Sequence, residues 1–240
     1  MKKPKHKEDM RKSITGMPQL FLLHFAGGNR YSYDFMRPYL SEFEFIPIEL
    51  PGRGKRTREK LLYDFNLAAQ DLFRQVSARR TTCDFILYGH SLGAIMALKL
   101  AGMFEQIRMP PLYIVVTGNA GPGIGDDDGH QPLDKVRFKE ELKSLGGVSE
   151  LFLQTEDAYD FYYPILKADF ELAKGPAFSS VPPVNAPVYA LAGREEAAAH
   201  HIDNWKNFTL SYSYTEVLPG NHFFIYEHTS RIASIIKKAV

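Results

Sequence analysis

The sequence predicts an α/β fold: a mostly parallel central sheet with helices on both faces and a helical insertion above the sheet edge. Three observations carry this reading. Short apolar runs alternate with longer amphipathic stretches, the pattern of strand–helix–strand crossovers. One run ends in Gly89-His90-Ser91-Leu92-Gly93 and passes directly into the apolar segment Ala94-Ile95-Met96-Ala97-Leu98-Lys99-Leu100-Ala101. That order of strand, tight glycine-flanked turn and helix is the context a nucleophile elbow requires. A length of 240 residues with no internal repeat or low-complexity segment suits one such domain.

The chain opens on Met1-Lys2-Lys3-Pro4-Lys5-His6-Lys7, extended by Arg11 and Lys12. No apolar run follows, so a signal peptide is not expected here. Residues 1–16 are expected to form a flexible basic tail, with 17–240 as a single domain. Strands are expected over Gln19 to His24, Glu44 to Glu49, Phe85 to Tyr88, Leu112 to Thr117, Val188 to Ala192 and Ser211 to Val217. Leu67 to Ser77 places Leu67, Leu72, Phe73 and Val76 on one face at helical spacing. Further helices are expected over Ala94 to Phe104, Ile202 to Asn207 and Ser230 to Lys238.

One region breaks the alternation. Gly118 to Gly129 is rich in glycine and acid, and Lys135 to Ala173 then reads as helices without a strand, including Ser149 to Gln154. An insertion at about 133–175 is expected to form a helical lid. Its aromatics, Phe152, Tyr159, Phe161, Tyr162, Tyr163 and Phe170, belong either to the lid's own core or to an acyl pocket. Phe170 and Phe25 are the candidate substrate-binding residues.

The elbow implies nucleophilic catalysis. The sharp turn lifts the Ser91 hydroxyl above the sheet and leaves helix N–H groups free to face an anion. A serine needs a base, and the base an orienting acid, in the chain order Ser, acid, His. His222 follows the last expected strand in the loop Pro219-Gly220-Asn221-His222-Phe223-Phe224. His24, His90, His130, His200, His201 and His228 lack that combination of order and context. The acid belongs just past Val188 to Ala192, in Gly193-Arg194-Glu195-Glu196-Ala197-Ala198-Ala199. Glu196 is the assignment, with Glu195 second; the alternative is that both are solvated surface charges. Leu92 and Ala26 are the candidate oxyanion-hole N–H donors, with Phe25 the alternative to Ala26.

The remaining composition narrows the function classes. The chain carries 29 basic and 28 acidic residues, a net charge of +1. Neither nucleic acid nor a membrane surface is an expected partner. The single Cys83 cannot form an internal disulfide, and a cytoplasmic location is expected. No cluster has metal-ligand spacing, so no metal and no cofactor are expected; Asp126-Asp127-Asp128 reads as an exposed acidic turn.

Several segments together resemble one family. His24-Phe25-Ala26-Gly27-Gly28 is similar to the H-x-A-G-G loop of type II thioesterases, the editing partners of nonribosomal peptide and polyketide synthases. Glu49-Leu50-Pro51-Gly52-Arg53-Gly54-Lys55-Arg56 resembles their L-P-G-R-G-x-R segment, and Tyr88 to Ala94 their G-H-S-M/L-G-A elbow. Leu166-Lys167-Ala168-Asp169-Phe170 resembles the lid segment L-R-A-D-F, and Pro219 to Phe224 resembles G-x-H-F-F. These matches run in order along nearly the whole chain. The resemblance implies an α/β-hydrolase fold and hydrolysis of acyl groups from the phosphopantetheine thiols of acyl or peptidyl carrier proteins. Glu196 stands where the family usually has aspartate, and the run Ala197-Ala198-Ala199 is a second departure. The alternatives are an esterase or lipase for small esters and, were the triad impaired, a non-catalytic carrier-protein binder.

Overall fold

Alternation of apolar residues along the strands gives the sheet two buried faces. Phe21 and Leu23, Phe85 and Leu87, and Ile114 and Val116 point into one core. Their neighbours Leu20 and Leu22, Ile86 and Tyr88, and Tyr113 and Val115 point into the other. The computed structural model describes residues 16–124, 135–146, 154–173 and 176–238. The basic tail up to residue 15, Asp126-Asp127-Asp128, His130, Phe152 and the expected helix over 149–153 lie outside the described residues.

Six strands form the sheet: β1 (Gln19–Leu23), β2 (Glu44–Ile48), β3 (Phe85–His90), β4 (Ile114–Thr117), β5 (Val188–Gly193) and β6 (Ser213–Leu218). Their order is β2-β1-β3-β4-β5-β6, and each neighbouring pair is parallel. The chain therefore winds one way from β1 to β2 and the other way from β3 onward. That reversal opens a crevice beyond the carboxyl ends of β1 and β3, where a doubly wound sheet places its site.

One face is covered by α1 (Phe65–Arg79) and α2 (Leu92–Gln106). Leu72 and Val76 of α1 and Leu98 and Phe104 of α2 join the first core. The Asp64 side chain accepts the Leu67 N–H at 2.8 Å and caps α1, worth about 1 kcal/mol. α2 is apolar nearly all round because it lies between sheet and outer layer, with only Lys99 and its C-terminal end reaching outward. The other face is covered by the 3-10 helix Asp34–Tyr39, through Met36, and by the last helix of the chain, Thr229–Lys237, through Ile232, Ile235 and Ile236. Each such fully buried aliphatic side chain contributes roughly 2 kcal/mol of transfer free energy.

Between β4 and β5 the insertion supplies α3 (Lys135–Leu145) and α4 (Glu156–Leu172). The final helix, Thr229–Lys237, is α5. Leu142, Tyr159 and Leu166 form a small core of the insertion's own. The stretch expected as helix over Ile202 to Asn207 is a 3-10 helix, Ala199–Phe208. Long 3-10 runs have poor internal hydrogen bonding; this one is tied down from outside, by Trp205 Nε1 donating to the Asn119 carbonyl at 2.7 Å and by Asn204 donating to the Ala120 and Pro122 carbonyls.

Candidate active site

The elbow after β3 is built by steric necessity. A Cβ on Gly89 would lie 2.0 Å from the Gly93 carbonyl oxygen, and one on Gly93 would lie 2.1 Å from that of Leu23. Only glycine fits at either position. Between them Ser91 sits at φ 56°, ψ −116°, a conformation that costs a non-glycine residue energy and is held by its surroundings. The Ser91 N–H donates to the Thr117 carbonyl at 2.8 Å, which anchors the turn to β4. Ser91 caps α2, and the Leu92 N–H at the helix start has no partner among the described residues. The Ser91 hydroxyl likewise makes no hydrogen bond among the described residues, so its link to a base is open in this state.

The loop after β6 crosses the end of β5. A Cβ on Gly193 would lie 2.3 Å from the Asn221 carbonyl oxygen, so the loop rests on bare backbone there. His222 Nδ1 lies 2.7 Å from Glu196 Oε2, and Glu196 Oε1 accepts the Gly193 N–H at 2.6 Å. The two side chains are only 14% and 13% exposed, so water competes weakly for the bond. Glu195 is exposed and contributes only its N–H, to the Gly220 carbonyl. Of the two glutamates, the structure brings Glu196 to the histidine. The His222 ring packs against His90, centroids 4.8 Å apart, and His90 immediately precedes Ser91. Burial, then repulsion from His222, holds His90 far below the usual imidazole range, so it stays neutral.

The loop after β1 is held at several points. His24 Nδ1 lies 2.8 Å from the Phe25 carbonyl, and the Leu50 N–H donates to His24 Nε2 at 3.2 Å. These bonds select the tautomer with its proton on Nδ1. Burial, aided by the Arg53 guanidinium, pushes His24 down to about 4, so it is neutral at physiological pH. The Phe25 carbonyl also accepts the Gly28 N–H at 2.9 Å. The Gly27 N–H donates to Asp169 Oδ2 at 2.7 Å, and Arg53 Nη1 donates to the Gly28 carbonyl at 3.3 Å. Neither the Ala26 nor the Phe25 N–H has a hydrogen-bond partner among the described residues. The loop after β1, through Ala26 or its alternative Phe25, and the start of α2, through Leu92, thus leave N–H groups available to an anion.

The candidate binding aromatics divide. Phe25 stands edge-on to His90, Tyr33 and Phe223, at centroid distances of 5.7, 6.0 and 5.1 Å. It is part of the wall beside His222. Phe170 packs against the small core of the insertion. Among the described residues no cluster suits a metal ion, and no helix is long and apolar enough to cross a membrane. Reasoning from residues alone passed over Arg53, Asp169 and Thr117 as contributors. Arg53 and Asp169 lie in segments singled out for their resemblance, and the signal for Asp169 is its helical spacing with Ile165, Leu166 and Leu172, which puts a carboxylate on the apolar face of its helix and so calls for a buried partner.

The chain is similar to known proteins over most of its length. The chain is 28% identical over 215 residues to the gramicidin S biosynthesis protein GrsT of Aneurinibacillus migulanus, covering 87% of this chain and 83% of GrsT. Its structure superposes on the RedJ thioesterase of the prodiginine pathway in Streptomyces coelicolor with a TM-score of 0.84 at 25% identity, covering 94% of this chain and 87% of RedJ. It also superposes on the type II thioesterase BorB from the borrelidin biosynthetic cluster, with a TM-score of 0.82 at 26% identity and 95% of each chain covered. The fold is accordingly that of the α/β-hydrolases. The family model described as a thioesterase domain matches residues 18–240, and on that ground the chain belongs to the thioesterase family and is a thioester hydrolase.

Proposed function

We propose that this protein is a type II thioesterase that clears acyl groups from the phosphopantetheine thiols of acyl or peptidyl carrier proteins in nonribosomal peptide or polyketide synthesis. The observation that carries the reading is the Glu196–His222 bond at the ends of β5 and β6, beside the strained Ser91 turn. The biosynthetic settings of GrsT, RedJ and BorB support the substrate class.

With Glu196 accepting from Nδ1–H, His222 presents a bare Nε2. That nitrogen takes the Ser91 proton as Oγ attacks the thioester carbonyl. The oxyanion that forms is held by the Ala26 and Leu92 N–H groups. The tetrahedral centre collapses, the C–S bond breaks, and the imidazolium returns its proton to the departing sulfur. Water then attacks the acyl-serine, His222 again takes the proton, and the free acid leaves with Ser91 restored. Glu196 keeps the tautomer and steadies the imidazolium without itself taking the proton.

The test is a comparison of one acyl group in two settings. Turnover of the acyl-carrier thioester well above that of the matching p-nitrophenyl ester supports the reading. Equal or better use of the simple ester points to a small-ester esterase, and carrier binding without hydrolysis to a non-catalytic binder.

A further inference from the structure

Asp169 belongs to α4 of the insertion, yet the hydrogen bonds of its side chain are made outside the insertion. It is wholly buried. Arg53 reaches it with both terminal nitrogens, Nη1 to Oδ2 and Nη2 to Oδ1, the latter at 2.7 Å. Oδ2 also accepts the Gly27 N–H at 2.7 Å. The same Arg53 Nη1 donates to the Gly28 carbonyl. A second contact of α4 lies alongside: a Cβ on Gly27 would fall 2.3 Å from Leu166 Cδ2, one turn before Asp169. The oxyanion loop and α4 therefore meet along a face with no room for a side chain between them.

Peptide geometry gives these bonds a consequence for Ala26. In a trans peptide the C=O and the following N–H point opposite ways across one rigid plane. The Phe25 carbonyl is fixed by His24 and by the Gly28 N–H, so the Ala26 N–H is aimed away from them. The next plane, Ala26–Gly27, is fixed through its N–H by Asp169. Both planes that meet at the Ala26 Cα are thereby held, the second by the insertion directly and the first in part through it, because the Gly28 N–H that fixes the Phe25 carbonyl belongs to the turn that Asp169 holds at the Gly27 N–H and Arg53 at the Gly28 carbonyl. A buried aspartate with a bidentate arginine is a costly device for anchoring a helix that a leucine would anchor as well. Its directional bonds suit it to setting a peptide plane.

We propose that Asp169, working with Arg53, is a positioning residue for the reaction: it sets the Ala26 N–H of the oxyanion hole, so that the hole is complete only while α4 is docked. This inference rests on the reading of Ser91 and Ala26 given above. It makes the insertion a participant in the chemical step through the loop it holds, in addition to any part it takes in covering substrate.

The experiment compares wild type, Asp169→Ala, Asp169→Asn and the doubly neutral Arg53→Gln/Asp169→Asn on an acyl-pantetheine thioester. A trifluoromethyl ketone bearing the same acyl chain supplies a second readout, since its Ser91 adduct carries an oxyanion. Asp169→Ala is expected to lower kcat about 10- to 100-fold with KM nearly unchanged, the size of loss that a misplaced catalytic group produces. Affinity for the ketone is expected to fall by the same factor. Asp169→Asn keeps an acceptor for the Gly27 N–H and is expected to recover most of both. The double variant avoids an unpaired buried charge and carries the measurement should alanine fail to fold. Folded variants with wild-type kcat and ketone affinity overturn the inference, as does a loss confined to melting temperature and folded fraction. Failure of the underlying reading looks different: wild type itself then leaves the thioester intact or forms no ketone adduct on Ser91.

Discussion

Glu196 holds His222 with one carboxylate oxygen and its own turn with the other: Oε2 is 2.7 Å from Nδ1, and Oε1 accepts the Gly193 N–H at 2.6 Å. The second bond closes the glutamate back over the strand end that precedes it. It gives a physical reason for a glutamate in this place. The longer arm lets one carboxylate reach the imidazole while staying tied to β5.

Glu196→Gln keeps the size and removes the charge, and a neutral amide no longer enforces the Nδ1–H tautomer. Turnover is expected to fall roughly 10³- to 10⁴-fold with little change in KM. Glu196→Asp shortens the arm by one methylene and cannot keep both bonds, so kcat is expected to fall as well, by less. Steady-state kinetics on both variants checks this. Unchanged kcat in Glu196→Gln removes the residue from the mechanism.

Gly193→Ala tests the support beneath the histidine loop. The new Cβ would meet the Asn221 carbonyl at 2.3 Å, one residue before His222. The loop must move, and the cost is about 1–3 kcal/mol of stability. A larger effect on kcat than on melting temperature is expected, because the displaced group is the base. Wild-type kinetics in this variant would show that the loop tolerates displacement.

Buried neutral histidines predict a particular acid response. His24 is pushed from 6.5 down to about 4, mainly by burial, and His90 is likewise held well below the usual imidazole range by burial. Between those limits the unfolded chain binds protons that the folded chain does not. Stability is therefore full above pH 6.5 and falls as pH drops through the window down to about 4. Each group contributes a slope of about 1.4 kcal/mol per pH unit there. Denaturant melts across that window are expected to show the slope, and His24→Gln to reduce it by about one proton. An unchanged slope in His24→Gln contradicts the neutral assignment.

Much of this was legible in the sequence. The six strands lie within two residues of where the sequence places them, most plainly β1, β3 and β4, because a strand buried on both faces writes itself as a run of mostly apolar residues. Gly89, Gly93 and the serine between them announce a turn that only a few sequences can form. The histidine loop follows from Pro219, Gly220 and Asn221. Glu196 over Glu195 rests on its place three residues past Gly193, and only coordinates separate two adjacent carboxylates. The Asp169–Arg53 pair spans 116 residues. No local pattern encodes such a contact, though a carboxylate on the apolar face of a helix asks for a partner. The 3-10 form of Ala199–Phe208 was equally hidden, since bonds to the loop after β4 impose it.

The insertion is expected to open ahead of the sheet. Its own core contains Leu142, Tyr159 and Leu166, against the much larger clusters on the two sheet faces. Fewer buried contacts mean a lower free energy of local opening. Hydrogen exchange is expected to be faster in α3 than in β1, β3 and β4, and slower once a substrate analogue occupies Ser91. Equal protection in both segments, with and without the analogue, contradicts a gating role.

The measurement that tests the central claim most directly is capture of the covalent intermediate. The protein is mixed with an acyl-carrier thioester, quenched in acid on the millisecond scale and analysed by intact and peptide mass spectrometry. The account predicts a transient acyl adduct on Ser91, absent in Ser91→Ala, whose fold is intact and whose hydrolysis is lost by several powers of ten. Hydrolysis at the wild-type rate in Ser91→Ala, or an adduct on another residue that turns over at that rate, would contradict it.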